Sequence, residues 1–68
     1  MTLKGNKMNI PKVGSKWTEQ NGHMIFRVLH TIELDGHTWV HYRDNDNGEK
    51  EYSCYVESFL TRFTEIPT

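Results

Sequence analysis

Cysteine is nearly missing from this chain: Cys54 is the only one in 68 residues. No disulfide can form within it, and a small fold without that staple points to a reducing compartment. Free cysteine packs as a small hydrophobe, so Cys54 is expected as a half-buried strand residue. Long apolar runs are missing too. Nothing approaches the about 20 apolar residues of a membrane span, and no apolar stretch follows Lys4 and Lys7 as a secretory leader requires. These absences point to a cytoplasmic protein with no membrane partner. Charge of one sign is also lacking, since 8 Lys and Arg face 9 Asp and Glu for a net charge of −1. The charges are interspersed, so no basic stripe forecasts phosphate binding. Size sets a further limit. A single domain of this length buries only roughly 60% of the surface its unfolded chain exposes, which leaves little material for a deep catalytic pocket.

Turn signals and β-forming residues are what the chain does have. Asn21-Gly22, Asp35-Gly36 and the run Asp44 to Gly48 punctuate it at hairpin spacing. Between them lie short segments rich in Val, Ile, Tyr, Trp and Phe, as antiparallel strands require. Residues 1–9 are polar and aperiodic and read as a flexible arm, with Met8 an alternative start. Residues 10–68 read as one domain. The expected strands run from about Ser15 to Glu19, His23 to Glu33, His37 to Arg43 and Lys50 to Tyr55. Asn21-Gly22 suits a tight turn, because both central residues of a type I′ turn need positive φ. Val56, Phe59, Leu60 and Phe63 then stand at i, i+3, i+4 and i+7, the mark of a helical turn with one apolar stripe. A short strand, Thr64 to Ile66, closes the chain.

The long second strand is ambiguous. Met24, Phe26, Val28 and Ile32 share one parity, and Ile25, Arg27, Leu29 and Thr31 the other, so neither side is purely polar. The following turn is needed to choose. Read as a three-residue loop, Leu34-Asp35-Gly36 pairs Glu33 with His37, His30 with Val40 and Val28 with Tyr42. Phe26, Val28, Val40 and Tyr42 then share the buried face. Ile25, Leu29, Trp39, His41 and Arg43 point outward together as a candidate binding surface, since exposed apolar patches mark interaction sites and Trp and Arg are frequent interface anchors. A two-residue loop shifts the pairing by one and buries Trp39 instead. Both readings stay open, with the three-residue loop favoured. Trp17 is likewise ambiguous, with a core position favoured.

Four strands, a one-turn helix and a last short strand make a mainly all-β chain in the order of an SH3-like small barrel, with Phe59 and Phe63 plugging one end. On these residues the chain resembles known proteins. Val13-Gly14, Trp17, Asn21-Gly22, Phe26 to Leu29, Trp39 to Arg43 and Phe59 to Phe63 resemble the framework of short bacteriophage-encoded SH3-like proteins of unassigned function. More loosely they resemble barrels of the Tudor and KOW type. The resemblance covers about Pro11 to Ile66 and implies a fold plus an accessory role on a host protein. Tudor domains suggest an aromatic cage, for which Trp17, Trp39, Tyr42, Tyr52 and Tyr55 are available. KOW modules suggest nucleic acid, but their basic loops are missing here.

The remaining chemistry is weaker. Counted from Asp44, an EF-hand loop needs an oxygen ligand at position 5, glycine at 6 and glutamate at 12; Gly48, Glu49 and Tyr55 stand there, so the run reads as a solvated turn. His37 and His41 lie roughly 13 Å apart on a strand at about 3.3 Å per residue, too far to share a metal. The favoured register puts His30 and His41 on opposite faces, so no metal site is expected. Ser15, Ser53 and Ser58 lack a nucleophile elbow, and no phosphate-binding or dinucleotide fingerprint is present. Glu49 and Glu51 flank Lys50 in a charged edge strand that discourages unwanted pairing. The sequence therefore points to a non-enzymatic protein-binding module, or a homodimer through the same face, with no cofactor. Nucleic-acid binding through Lys16, Arg27, Arg43 and Lys50, with Trp39 stacking on a base, is the alternative.

Overall fold

A computed structural model describes residues 10–20, 22–46 and 50–67. The arm expected at residues 1–9 lies outside the described residues, as do Asn21 and the end of the acidic turn at 47–49. The order is β1 (Lys16–Glu19), β2 (Ile25–Leu34), β3 (His37–Asp44), β4 (Glu51–Tyr55), α1 (Val56–Arg62) and β5 (Phe63–Glu65). All neighbours are antiparallel, in the spatial order β4-β3-β2-β1-β5.

The mainly-β, five-strand expectation holds, and so does a helix before the last strand. Closure into a barrel does not. The sheet stays open, with β4 and β5 as its two edges. The chain passes from one edge to the other through α1, which has seven residues instead of a single turn. β5 has only three residues and gives its pairing to β1. Packing of α1 against one face, not strand pairing, therefore covers the core.

The core follows from the strand pattern. Trp17, Phe26, Val28, Val40, Tyr42, Val56, Phe59 and Phe63 are buried together. Phe26, Val28, Val40 and Tyr42 share the inner face as their spacing predicts, and the stripe of α1 supplies Val56 and Phe59, with Leu60 half-buried beside them. Phe59 is fully buried. Its ring lies 5.0 Å from that of Trp17, 5.2 Å from Tyr42 and 4.6 Å from Phe63. Edge-to-face aromatic pairs add about 0.5–1.5 kcal/mol each beyond area burial, which matters in a core this small. Glu57 in the first turn of α1 and Arg62 in the last complement the helix dipole.

Trp17 belongs to the core, and its indole Nε1–H donates to Ser15 Oγ at 2.8 Å. That bond meets the need of a buried indole for an acceptor. Cys54 is half-buried against the core, as expected.

One turn reading needs correction, while the turn expected at Asn21-Gly22 includes a residue outside the described ones; β1 and β2 last pair at Thr18 and Ile25. Asp35-Gly36 is a two-residue loop, since Leu34 pairs directly with His37. Its φ angles are 55° at Asp35 and 78° at Gly36, the type I′ requirement that Asp-Gly meets cheaply. Glu33 accordingly pairs with Thr38, and Thr38 Oγ1 donates to Glu33 Oε2 at 2.7 Å. Thr31, not His30, lies opposite Val40.

A two-residue loop alone would have buried Trp39. The chain avoids that with a β-bulge between Val28 and His30, where Leu29 has no partner in the ladder. The extra residue resets the parity. Val28 still faces Tyr42, while beyond the bulge His30 faces His41 and Ile32 faces Trp39. A bulge opposes two residues to one and bends its strand. Here it sits where β2 leaves β1, just after Val28 completes its bonds with the segment before β1: Gly14 N–H donates to Val28 O at 2.8 Å and Val28 N–H to Ser15 O at 2.9 Å.

Candidate functional site: the outer sheet face

α1 and the aromatic core occupy one side of the sheet, and among the described residues no element covers the other side of β2, β3 and β4. Cross-strand register sorts that outer face into rows. Nearest the Asp35-Gly36 turn, Leu34 faces His37. The next row is Ile32, Trp39 and Tyr55. Then come His30, His41 and Ser53. Lys16, Arg27, Arg43 and Glu51 form the row nearest the other end.

The apolar end is built from rings. Trp39 packs edge-on to Tyr55 with centroids 4.6 Å apart, and His37 stacks on Tyr55 at 4.5 Å. Leu34 (57% exposed), Ile32 (42%) and Tyr55 (39%) leave much of this patch in water. Cross-strand pairs of this kind hold a sheet face in shape by about 0.2–1 kcal/mol each. The opposite end carries Lys16, Arg27 and Arg43, with Glu51 closing the row at the β4 edge. Between them, His41 Nδ1 lies 3.2 Å from Glu51 Oε2.

The five residues singled out in the sequence are placed as follows. Trp39, His41 and Arg43 share the outer face of β3, each half-buried. Ile25 shares that face at the far end, where Asn45 N–H donates to its carbonyl at 2.7 Å. Leu29 occupies the bulge and does not lie beneath the others in a regular row. Sequence reasoning missed Tyr55, Ile32, Leu34 and His37 as members of the patch, and it put His30 on the wrong face. The mixed parity of β2 was the available signal: a strand whose apolar positions change phase midway calls for an inserted residue.

The aromatic cage suggested by the Tudor resemblance does not assemble. Trp17 and Tyr42 belong to the inner face with Tyr52 stacked on Tyr42, whereas Trp39 and Tyr55 are outside. The acidic turn keeps its solvated reading in the described part, with Asp46 N–H donating to Asp44 Oδ1 at 2.8 Å. Glu51 is exposed on the edge strand, as expected, while Glu49 lies outside the described residues.

Two further features complete the surface. A concavity of about 350 Å³ is lined by Glu19, Gln20, Gly22, Thr61 and Arg62, where Arg62 and Glu19 approach to 3.9 Å. On the inner side, burial pushes the Cys54 thiol above its ordinary pKa, partly offset by the Arg62 charge. Burial also raises the Tyr42 phenol, reinforced by the neighbouring Cys54. A thiol held in its neutral form is a poor nucleophile.

No family model, curated protein or solved structure matches this chain. Among the described residues no helix is long and apolar enough to cross a membrane.

Proposed function

We propose that this protein is a non-enzymatic protein-binding module that docks a partner on the outer face of β2, β3 and β4. The observation that carries this reading is the uncovered patch of Leu34, Ile32, Trp39 and Tyr55, packed into fixed geometry without being buried. Its complement is a partner with an apolar anchor flanked by acidic groups, because the patch grades along the same face into Lys16, Arg27 and Arg43. Apolar burial supplies affinity and the charges supply steering and orientation. The raised Cys54 pKa supports a non-enzymatic reading of the one thiol. Strand order with a helix before the last strand supports an SH3-like arrangement left open along one seam. The resemblance to short phage-encoded proteins supports a host protein as the partner.

The test is affinity capture from host-cell lysate with the wild type, Trp39→Ala and Arg43→Glu, each checked for folding by circular dichroism. The expected result is a partner recovered by the wild type and lost by both folded variants. Recovery of the same partner by folded Trp39→Ala refutes the docking face. Light scattering on the purified protein separates a second copy of this chain from a different partner.

One observation favours nucleic acid as a second reading. Lys16, Arg27 and Arg43 line up across three strands on the face that carries Trp39. A basic track beside an aromatic ring suits a single strand, with phosphates on the cations and a base on the ring. Fluorescence anisotropy with a labelled oligonucleotide checks this. Binding that weakens steeply with salt supports it, and no binding at low salt excludes it.

A further inference from the structure

The docking patch and the basic row leave one group of the outer face without a role. Midway between them, His30 of β2 and His41 of β3 are direct cross-strand partners. Their rings stack, with centroids 4.5 Å apart and planes 19° from parallel. Glu51 of β4, diagonal to His41, brings Oε2 within 3.2 Å of His41 Nδ1. One ligand atom from each of the three residues lies within 4.8 Å of the other two. We infer that His30, His41 and Glu51 form a binding site for a divalent transition-metal ion of the zinc class, with its remaining coordination position open to solvent.

The donor set fits that chemistry. Imidazole nitrogen and carboxylate oxygen are ligands for zinc and its neighbours in the first transition row, and three protein ligands with one open position is a stable zinc arrangement. In a tetrahedral site with bonds of about 2.0–2.1 Å, ligand atoms stand about 3.3 Å apart. His41 and Glu51 already meet that spacing at 3.2 Å. His30 is exposed, so rotation about its side-chain torsions brings its nitrogen in without moving the backbone. The three ligands come from three strands joined by their ladders, and the backbone is therefore already placed. Binding replaces the hydrogen bond between His41 and Glu51 with bonds to the ion and ties the β4 edge to the β2–β3 hairpin.

The bulge at Leu29 lets this site and the inner core coexist. Without it, a regular ladder from the Asp35-Gly36 turn would leave Val28 off the inner face, and a ladder regular from Val28 would put His30 opposite the face that carries His41. Arg27 and Arg43 in the adjacent row oppose a cation, so affinity on the order of 1–100 µM is expected for two exposed ligands and one half-buried.

Calorimetric titration of the full chain with zinc chloride tests this. The expected result is one ion per chain and a rise in Tm of about 10 °C at saturation, since a ligand bound only to the folded state stabilises it. His30→Ala and His41→Ala should each weaken binding by tenfold or more, and Glu51→Gln by about tenfold. His23→Ala and Cys54→Ser, which alter an imidazole and a thiol outside the cluster, should bind as the wild type does. Circular dichroism shows whether each variant is folded. Because His30 is exposed, its variant decides the matter if the half-buried His41 variant unfolds. Absence of zinc binding by the wild type overturns the proposal. So does affinity unchanged in folded His30→Ala or in Glu51→Gln, or binding abolished by Cys54→Ser.

Discussion

The inner and outer faces of this one sheet are both rich in rings, yet they use them differently. Inside, Trp17, Tyr42 and Phe63 converge on Phe59, which α1 buries completely, and Phe26 packs on Tyr42 and Phe63 beside them. Outside, Trp39 and His37 pack on Tyr55 along the pleat, and among the described residues no element is laid over them. Composition alone does not separate core from contact surface. The difference lies in whether a second layer arrives. Among the described residues α1 is the only second layer, and it covers one face. The teaching point is that an aromatic strand face is a core only where the topology supplies a lid.

Substitutions on the two faces should divide along that line. Phe59→Ala removes the shared partner of the inner rings and should cost about 3–5 kcal/mol. Total stability is of order 3–10 kcal/mol for this length, at about 0.05–0.15 kcal/mol per residue. The variant should therefore be largely unfolded, read as loss of a cooperative urea transition. A cooperative transition near the wild-type midpoint would mean that α1 is not the lid.

Deleting Leu29 probes the border between the faces. The remaining residues keep every observed pair, Val28 with Tyr42 and His30 with His41, now in a regular ladder. The deletion variant should fold cooperatively, losing about 1–2 kcal/mol for the half-buried leucine and the altered bend. Nuclear Overhauser contacts between the His30 and His41 rings should persist. Loss of those contacts would show that the bulge does more than correct the parity.

Alkaline pH should weaken the inner face selectively. Tyr42 and Cys54 both hold their protons more tightly in the folded state than in the unfolded one, mainly through burial. Stability from such groups is fully present below their unfolded pKa values, about 8.5 for the thiol and 10 for the phenol. It is lost as pH rises through the higher folded values, because the unfolded chain gives up its protons first. The urea midpoint should fall above about pH 9, and less steeply in Cys54→Ser. A midpoint that rises over this range would reverse the assignment.

The outer face should be the tolerant one. Trp39→Ala should cost only about 1 kcal/mol, the packing against Tyr55, and Leu34→Ser should stay within about 0.5 kcal/mol. Both should nevertheless abolish partner capture. Stability loss comparable to Phe59→Ala would make the outer patch a second core.

Much of this was legible in the residues, for physical reasons that can be named. The α1 stripe appeared because a period of 3.6 stands out against flanking strands, and Val56–Arg62 has the expected bounds. The inner face of β3 appeared because Val40 and Tyr42 alternate with polar neighbours. Barrel closure was not legible, because pairing between the edge strands β4 and β5 depends on how far α1 swings the chain, which no local pattern encodes. The outer site was half legible. Trp39, His41 and Arg43 follow from the parity of β3, but their neighbours on β2 depend on the bulge. Two local signals conflicted there, the Asp-Gly turn and the Phe26–Val28 core pattern. Both were correct, and one inserted residue reconciles them.

That inserted residue leaves a mark that could be found without any coordinates. Along β2 the sheltered positions are Phe26 and Val28 before Leu29, and Thr31 and Glu33 face the same side after it. Even numbers give way to odd. A saturation scan read by growth or display should therefore show an alternating tolerance profile across residues 25–34 that slips by half a period at Leu29. The same profile in the Leu29 deletion should run through unbroken, like a dislocation removed from a lattice.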